Sequence, residues 1–91
     1  MRSQATPRFW HLLKDLPTEV QRLAVKNYRL WQANPNHPSL RYRRLEGCEN
    51  LVTVRVGDHY RALGLLEPGI VVWIWIGPHA EYNRLIRGGP V

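Results

Sequence analysis

Two arginines, Arg55 and Arg61, flank the turn Gly57-Asp58, and a wholly apolar run from Ile70 to Ile76 then leads to His79 and Tyr82. Arginine's planar fork matches the oxygens of a phosphate, and histidine exchanges protons near neutral pH. Tyrosine can join proton transfer only with help from neighbouring cations. A phosphate-sized cluster of cations next to two proton carriers is the equipment for binding RNA and for cutting it.

The backbone that must position these groups is legible from hydrophobic periodicity. Leu51 to Val56, His59 to Leu66 and Ile70 to Ile76 read as strands of an antiparallel meander, joined by turns at Gly57-Asp58 and Pro68-Gly69. A two-residue first loop would put Arg55 and Arg61 on opposite faces, whereas a three-residue loop through His59 places them directly across from each other. The hydrophobic pattern favours the longer loop. It gathers Val52, Val54, Val56, Tyr60, Ala62 and Gly64 on one apolar face and leaves Leu51, Thr53, Arg55, Arg61, Leu63 and Leu65 on the other.

The two-residue Pro68-Gly69 loop is expected to pair Leu66 with Val71, Gly64 with Trp73, Ala62 with Trp75 and Arg61 with Ile76. Both indoles would then lie over small residues in the core, and the chain would leave the sheet at Gly77-Pro78 beside the arginines. Like charges placed across a hairpin repel. Either an anion lies between Arg55 and Arg61, or a carboxylate of Asp58, Glu46 or Glu81 neutralises one of them.

Upstream, Thr6-Pro7 reads as a cap and first turn of a short helix ending near Lys14. Leu16-Pro17-Thr18-Glu19 starts a second helix, whose buried face is expected to recur at three- and four-residue steps through Val20, Leu23, Ala24, Asn27/Tyr28, Leu30 and Trp31. Asn34-Pro35 ends it, and the segment to Ser39 is a loop in which His37 is a turn residue. Leu40 to Leu45 reads as a strand carrying Arg41, Arg43 and Arg44, candidate contacts to the nucleic-acid backbone. Met1 to Ala5 reads as a polar lead, Ala80 to Arg87 as one or two helical turns, and residues 88–91 as a flexible tail.

A chain of 91 residues with 44% hydrophobic content supports one core and therefore one domain, 1–91. Thirteen Lys and Arg against seven Asp and Glu give a formal charge of +6. Such a balance suits polyanionic partners: nucleic acid, the ribosome or an acidic protein. The lone Cys48 can form no intrachain disulfide and reads as an inert loop thiol. The longest apolar run is too short to span a bilayer and no signal peptide is evident, so no membrane association and a cytoplasmic location are expected.

The ordered series Leu16-Pro17-x-Glu19-Val20-Gln21, Asn34-Pro35-x-His37-Pro38-Ser39-Leu40, Leu45-Glu46-Gly47, Val54-Arg55-Val56-Gly57-Asp58-His59-Tyr60-Arg61-Ala62 and Ile76-Gly77-x-His79 resembles the RelE/ParE toxins of bacterial type II toxin-antitoxin systems. The likeness runs from Pro7 to Ile86. It implies an α+β fold in which an N-terminal helix pair packs on a small, twisted antiparallel sheet with a short C-terminal helical turn. RelE-type members enter the ribosomal A site and cleave mRNA without metal or other cofactor, and a cognate antitoxin restrains them.

By position, the resemblance makes Arg55 and Arg61 phosphate-binding residues and His79 and Tyr82 the acid/base element. Glu46 is a candidate base by analogy with members that carry a glutamate after the Arg-rich strand. The sequence departs from the family in two places. Members usually open with a strand, which Met1 to Ala5 does not suggest, so that edge would be missing or supplied by a partner. Thr53 also replaces one of the lysines that some RNA-cutting members carry. Three classes stay open: ribosome-dependent endoribonuclease, ParE-like DNA gyrase inhibitor, and a non-catalytic RNA- or protein-binding member. An antitoxin is expected on the reverse sheet face, over Leu51, Leu63, Leu65, Val72 and Ile74, unless Leu85 and Ile86 fold back to cover it.

Overall fold

The computed structural model describes residues 2–87, which fold into three helices and a five-stranded sheet. Strand β1 (Arg2–Ala5) leads into helix α1 (Pro7–Lys14) and helix α2 (Thr18–Ala33). A 3-10 turn (Pro38–Leu40) follows, then β2 (Arg43–Arg44), β3 (Leu51–Val56), β4 (Tyr60–Glu67), β5 (Ile70–Pro78) and helix α3 (His79–Arg87). The strand order is β1-β5-β4-β3-β2. The flexible tail expected at residues 88–91 lies outside the described residues.

Both helix starts follow local chemistry. Thr6 Oγ1 accepts from the Phe9 N–H at 3.1 Å, and Pro7 opens α1 without needing a donor of its own. Between the helices, Gln21 Nε2 donates to the carbonyl of Leu16 at 2.9 Å and holds the link closed. The apolar face of α2 settles on the sheet around Trp31, which is 1% exposed and meets Trp73 edge to face at 5.3 Å. Val52, Val54, Val56, Ala62, Val71 and Ile76 complete this core.

The α+β class and the central meander are as expected, and the structure adds three corrections. First, Arg2–Ala5 is not merely a polar lead but a strand, parallel to β5 with Arg2 opposite Ile70 and Ala5 opposite Trp73, so the sheet is mixed. No partner is needed to supply this strand. It lies at the sheet edge and offers only Ala5 to the core, so its four residues carry no alternating apolar pattern to read.

Second, the strand expected from Leu40 begins only at Arg43. Leu40 is fully buried at the end of the 3-10 turn, which His37 caps by accepting from the Ser39 N–H at 3.2 Å. Arg41 then takes a left-handed backbone with φ 47°, which no strand tolerates.

Third, the register shifts between β4 and β5. The first hairpin has the three-residue loop, with Arg55 opposite Arg61 and Val56 opposite Tyr60. The second begins as expected, with Leu66 opposite Val71 and Gly64 opposite Trp73. A bulge then leaves Ile74 unpaired, so that Trp75 lies opposite Leu63, Ile76 opposite Ala62 and Gly77 opposite Arg61. Ile76 therefore joins the core under the helices, and Trp75 turns to the other face to pack with Leu63 and Tyr82. Gly77 accommodates that indole: a Cβ there would come within 2.6 Å of Trp75 Cζ2.

Candidate functional site

The sheet face opposite α1 and α2 forms an open cleft of about 770 Å³. Strands β2, β3 and β4, the Glu46-Gly47 turn and one side of α3 line it. Every residue singled out from the sequence is there: Arg41, Arg43, Arg44, Glu46, Arg55, Arg61, His79 and Tyr82. The structure adds Thr53, Cys48, Asn83 and Arg87 to the lining. The α3 contributors, at 79, 82, 83, 86 and 87, follow the three- and four-residue steps of one helical stripe. Extending that periodicity from His79 identifies Asn83 and Arg87 from sequence alone.

The two hairpin arginines are not equivalent. Arg55 pairs with Asp58 and also donates through Nε to the Gly57 carbonyl at 2.9 Å, so the turn's own carboxylate neutralises it. Arg61 donates to the Tyr60 carbonyl at 3.0 Å and has no carboxylate partner among the described residues. Burial lowers the Arg61 guanidinium pKa below its ordinary value, and Arg55 adds to the shift, with smaller pushes from Arg41 and Arg43. Tyr82 acts in the opposite direction. The guanidinium remains charged at neutral pH. An anion in the cleft would relieve the repulsion it feels.

Arg61 is held by its place in the middle of the sheet, and His79 by two neighbours. The His79 backbone N–H donates to the His59 carbonyl at 2.7 Å, tying the start of α3 to the first hairpin loop. Its ring stacks on Tyr82, with centroids 6.1 Å apart and planes 23° apart. Tyr82, 6% exposed, packs in turn against Trp75 at 6.5 Å. The β5 bulge thus delivers Trp75 to the base of an aromatic stack that ends in the histidine. His79 Nδ1 is buried without a hydrogen-bond partner among the described residues.

Six arginines line the cleft against a single carboxylate, Glu46, which is exposed at the mouth. Among the described residues no three of His, Cys, Asp and Glu converge as a metal-binding group, and no helix is long and apolar enough to cross a membrane. The arrangement can hold an extended polyanion and move a proton at one point along it.

On the same face, α3 covers part of the apolar surface. Leu63 is fully buried, and Leu85 and Ile86 pack around it with Trp75 and Tyr82, so the fold-back reading holds there. Leu51, Leu65, Val72 and Ile74 stay half-buried. The exposed large hydrophobic residues are elsewhere. Trp10, Val25 and Tyr28 all line an apolar groove of about 220 Å³ between α1 and α2.

No curated protein sequence matches the chain. Among solved structures, the fold is similar to the RelB–RelE antitoxin-toxin complex from Methanococcus jannaschii, at 15% identity and a TM-score of 0.72, covering 96% of this chain and 99% of that one. The archaeal RelE–RelB complex from Pyrococcus horikoshii matches at 20% identity and a TM-score of 0.66, covering 85% and 92%. YafQ from Escherichia coli matches at 12% identity and a TM-score of 0.68, covering 90% and 98%. The model of the ParE-like toxin domain matches residues 18–84, from the start of α2 into α3. By that match, this chain belongs to the ParE-like toxin domain family, and its fold is that of the RelE structures it resembles.

Proposed function

We propose that the chain is the toxin of a type II toxin-antitoxin pair and acts as a metal-independent, ribosome-associated endoribonuclease that cuts mRNA. One observation carries this reading: Arg61, a cation without a carboxylate partner, shares a cleft with a histidine whose buried Nδ1 has no partner. In the reaction, the ribose 2′-oxygen loses its proton to a base and attacks the adjacent phosphorus. The P–O5′ bond then breaks, and an acid protonates the leaving 5′-oxygen. Arg61, with Arg55 beside it, stabilises the extra negative charge of the phosphorane. His79 is the proton carrier that shares the cleft with this pair, Tyr82 stacks on its ring and lies close enough to Arg61 to raise its pKa, and Glu46 is the one carboxylate lining the cleft that could serve as the second. Arg41, Arg43, Arg44 and Arg87 hold the RNA or rRNA backbone.

Expression of the wild-type chain without its antitoxin should arrest growth, and His79→Ala and Arg61→Ala should each abolish the arrest. Undiminished arrest by both variants would contradict the nuclease reading. The ParE-like family match favours one rival, inhibition of DNA gyrase, which would instead induce a DNA-damage response while mRNA stayed intact.

An antitoxin partner is supported by two of the similar structures, which are antitoxin-toxin complexes, and by the groove that gathers Trp10, Val25 and Tyr28. Exposed Arg8, Arg22, Lys26 and Arg29 on the two helices suit an acidic amphipathic segment. Co-purification should recover a small acidic protein whose binding Trp10→Ala weakens. Recovery of none would count against the partner.

A further inference from the structure

Four positions among the described residues have a left-handed backbone. Three of them, Gly47, Gly57 and Gly69, are glycines, which adopt a positive φ without steric penalty. The fourth is Arg41, with φ 47° and ψ 42°. A side chain in that conformation pushes its Cβ against the following carbonyl, and such strain persists only where the surrounding structure holds it.

The fold explains why the backbone turns at position 41, but not why the residue there is arginine. Leu40 is fully buried and Tyr42 packs edge to face on Trp31 at 5.7 Å, so core contacts fix the chain on both sides. The Arg41 N–H donates to the Pro38 carbonyl at 3.3 Å and closes the 3-10 turn. Glycine would meet all of these demands with less strain, because none involves the Arg41 side chain. That side chain is exposed, forms no ion pair among the described residues and lines the basic cleft beside the edge strand β2. Its charge is felt at Arg61, whereas Arg55 is already occupied by Asp58.

We propose that Arg41 is a direct contact of bound RNA, held in a strained backbone so that its guanidinium takes the phosphate next to the one at Arg61. The proposal rests on the reading of this cleft as an RNA site. It also gives the strand a path, across the sheet from Arg61 on β4 over β3 to the β2 edge. Stability is given up at position 41 for a cation that meets the substrate.

The test measures thermal unfolding and RNA binding side by side on the full chain, using a short single-stranded RNA with 2′-O-methyl sugars that cannot be cut. Arg41→Gly and Arg41→Asn should each raise the unfolding midpoint by a few degrees, since both residues accept a left-handed backbone. Both should weaken RNA binding at low salt by roughly fivefold, the scale of one exposed charge pair. The slope of log K against log salt should fall by about 0.7, and by about twice that when Arg61→Ala is added. Arg41→Lys should keep the wild-type slope, as should Arg84→Gln, which removes an exposed α3 arginine outside the cleft. A lowered midpoint in both Arg41→Gly and Arg41→Asn would overturn the proposal, as would a double variant that loses no more slope than Arg61→Ala alone. RNA bound by the wild type without dependence on Arg41 removes this contact and keeps the cleft as an RNA site, whereas a wild type that binds no RNA removes both.

Discussion

Arg55 and Arg61 face each other across the first hairpin, but Asp58 neutralises only Arg55. On the proposed reading, Arg61 is then the residue that supplies binding energy for an anion. Replacing it relieves a like-charge contact, so Arg61→Ala should leave stability within about 1 kcal/mol of wild type or raise it slightly, as read by thermal unfolding. The same variant should lower RNA cleavage by roughly a hundredfold, the scale of losing one preorganised charge contact. A loss of activity that merely tracked unfolding would contradict this division. Asp58→Asn acts in the opposite direction. It frees Arg55, and single-stranded RNA should bind a few-fold more tightly at low salt, with the advantage fading as salt screens it.

The β5 bulge is the element that connects fold to site. By leaving Ile74 unpaired it sends Trp75 out of the core to support Tyr82 and, through it, His79. Two glycines separate the core side of this strand pair from the site side. A Cβ on Gly64 would meet Val71 at 2.7 Å and Trp73 at 2.9 Å, whereas one on Gly77 would meet Trp75. Gly64→Ala and Gly77→Ala should each cost about 1–3 kcal/mol by overpacking. Only Gly77→Ala should shift the His79 ring resonances, which NMR can read. The bulge was the part of the meander that sequence could not reveal. Loop length and alternation fixed Arg55 against Arg61 correctly, because one face of β3 and β4 is strictly apolar. Along Val71-Val72-Trp73-Ile74-Trp75-Ile76 every residue is apolar, so either face is acceptable and a one-residue slip leaves no mark. Strand β1 escaped notice for a related reason, since an edge strand held by main-chain bonds needs no hydrophobic alternation. The candidate site was legible nevertheless, because its residues come from turn-anchored positions upstream of the slip and from the chain that leaves β5 at Pro78.

Across the molecule, helices α1 and α2 and the main core occupy one side of the sheet, whereas α3, a smaller core cluster and the basic cleft occupy the other, with a separate apolar groove between α1 and α2. A chain carrying +6 should bind single-stranded RNA with a strong dependence on salt. Removing the Arg61 contact should reduce the slope of log K against log salt by about 0.7, the value expected for one phosphate on a single strand. The separation of groove from cleft also lets a partner dock on the helices while the arginines stay solvent-facing, so Trp10→Ala should weaken antitoxin capture without altering RNA affinity. Cleavage of mRNA by the cleft during translation would be read by a transcript-wide map of RNA 5′ ends after brief expression. New ends inside translated codons that vanish with His79→Ala are expected; growth arrest with unchanged 5′ ends would overturn the nuclease reading.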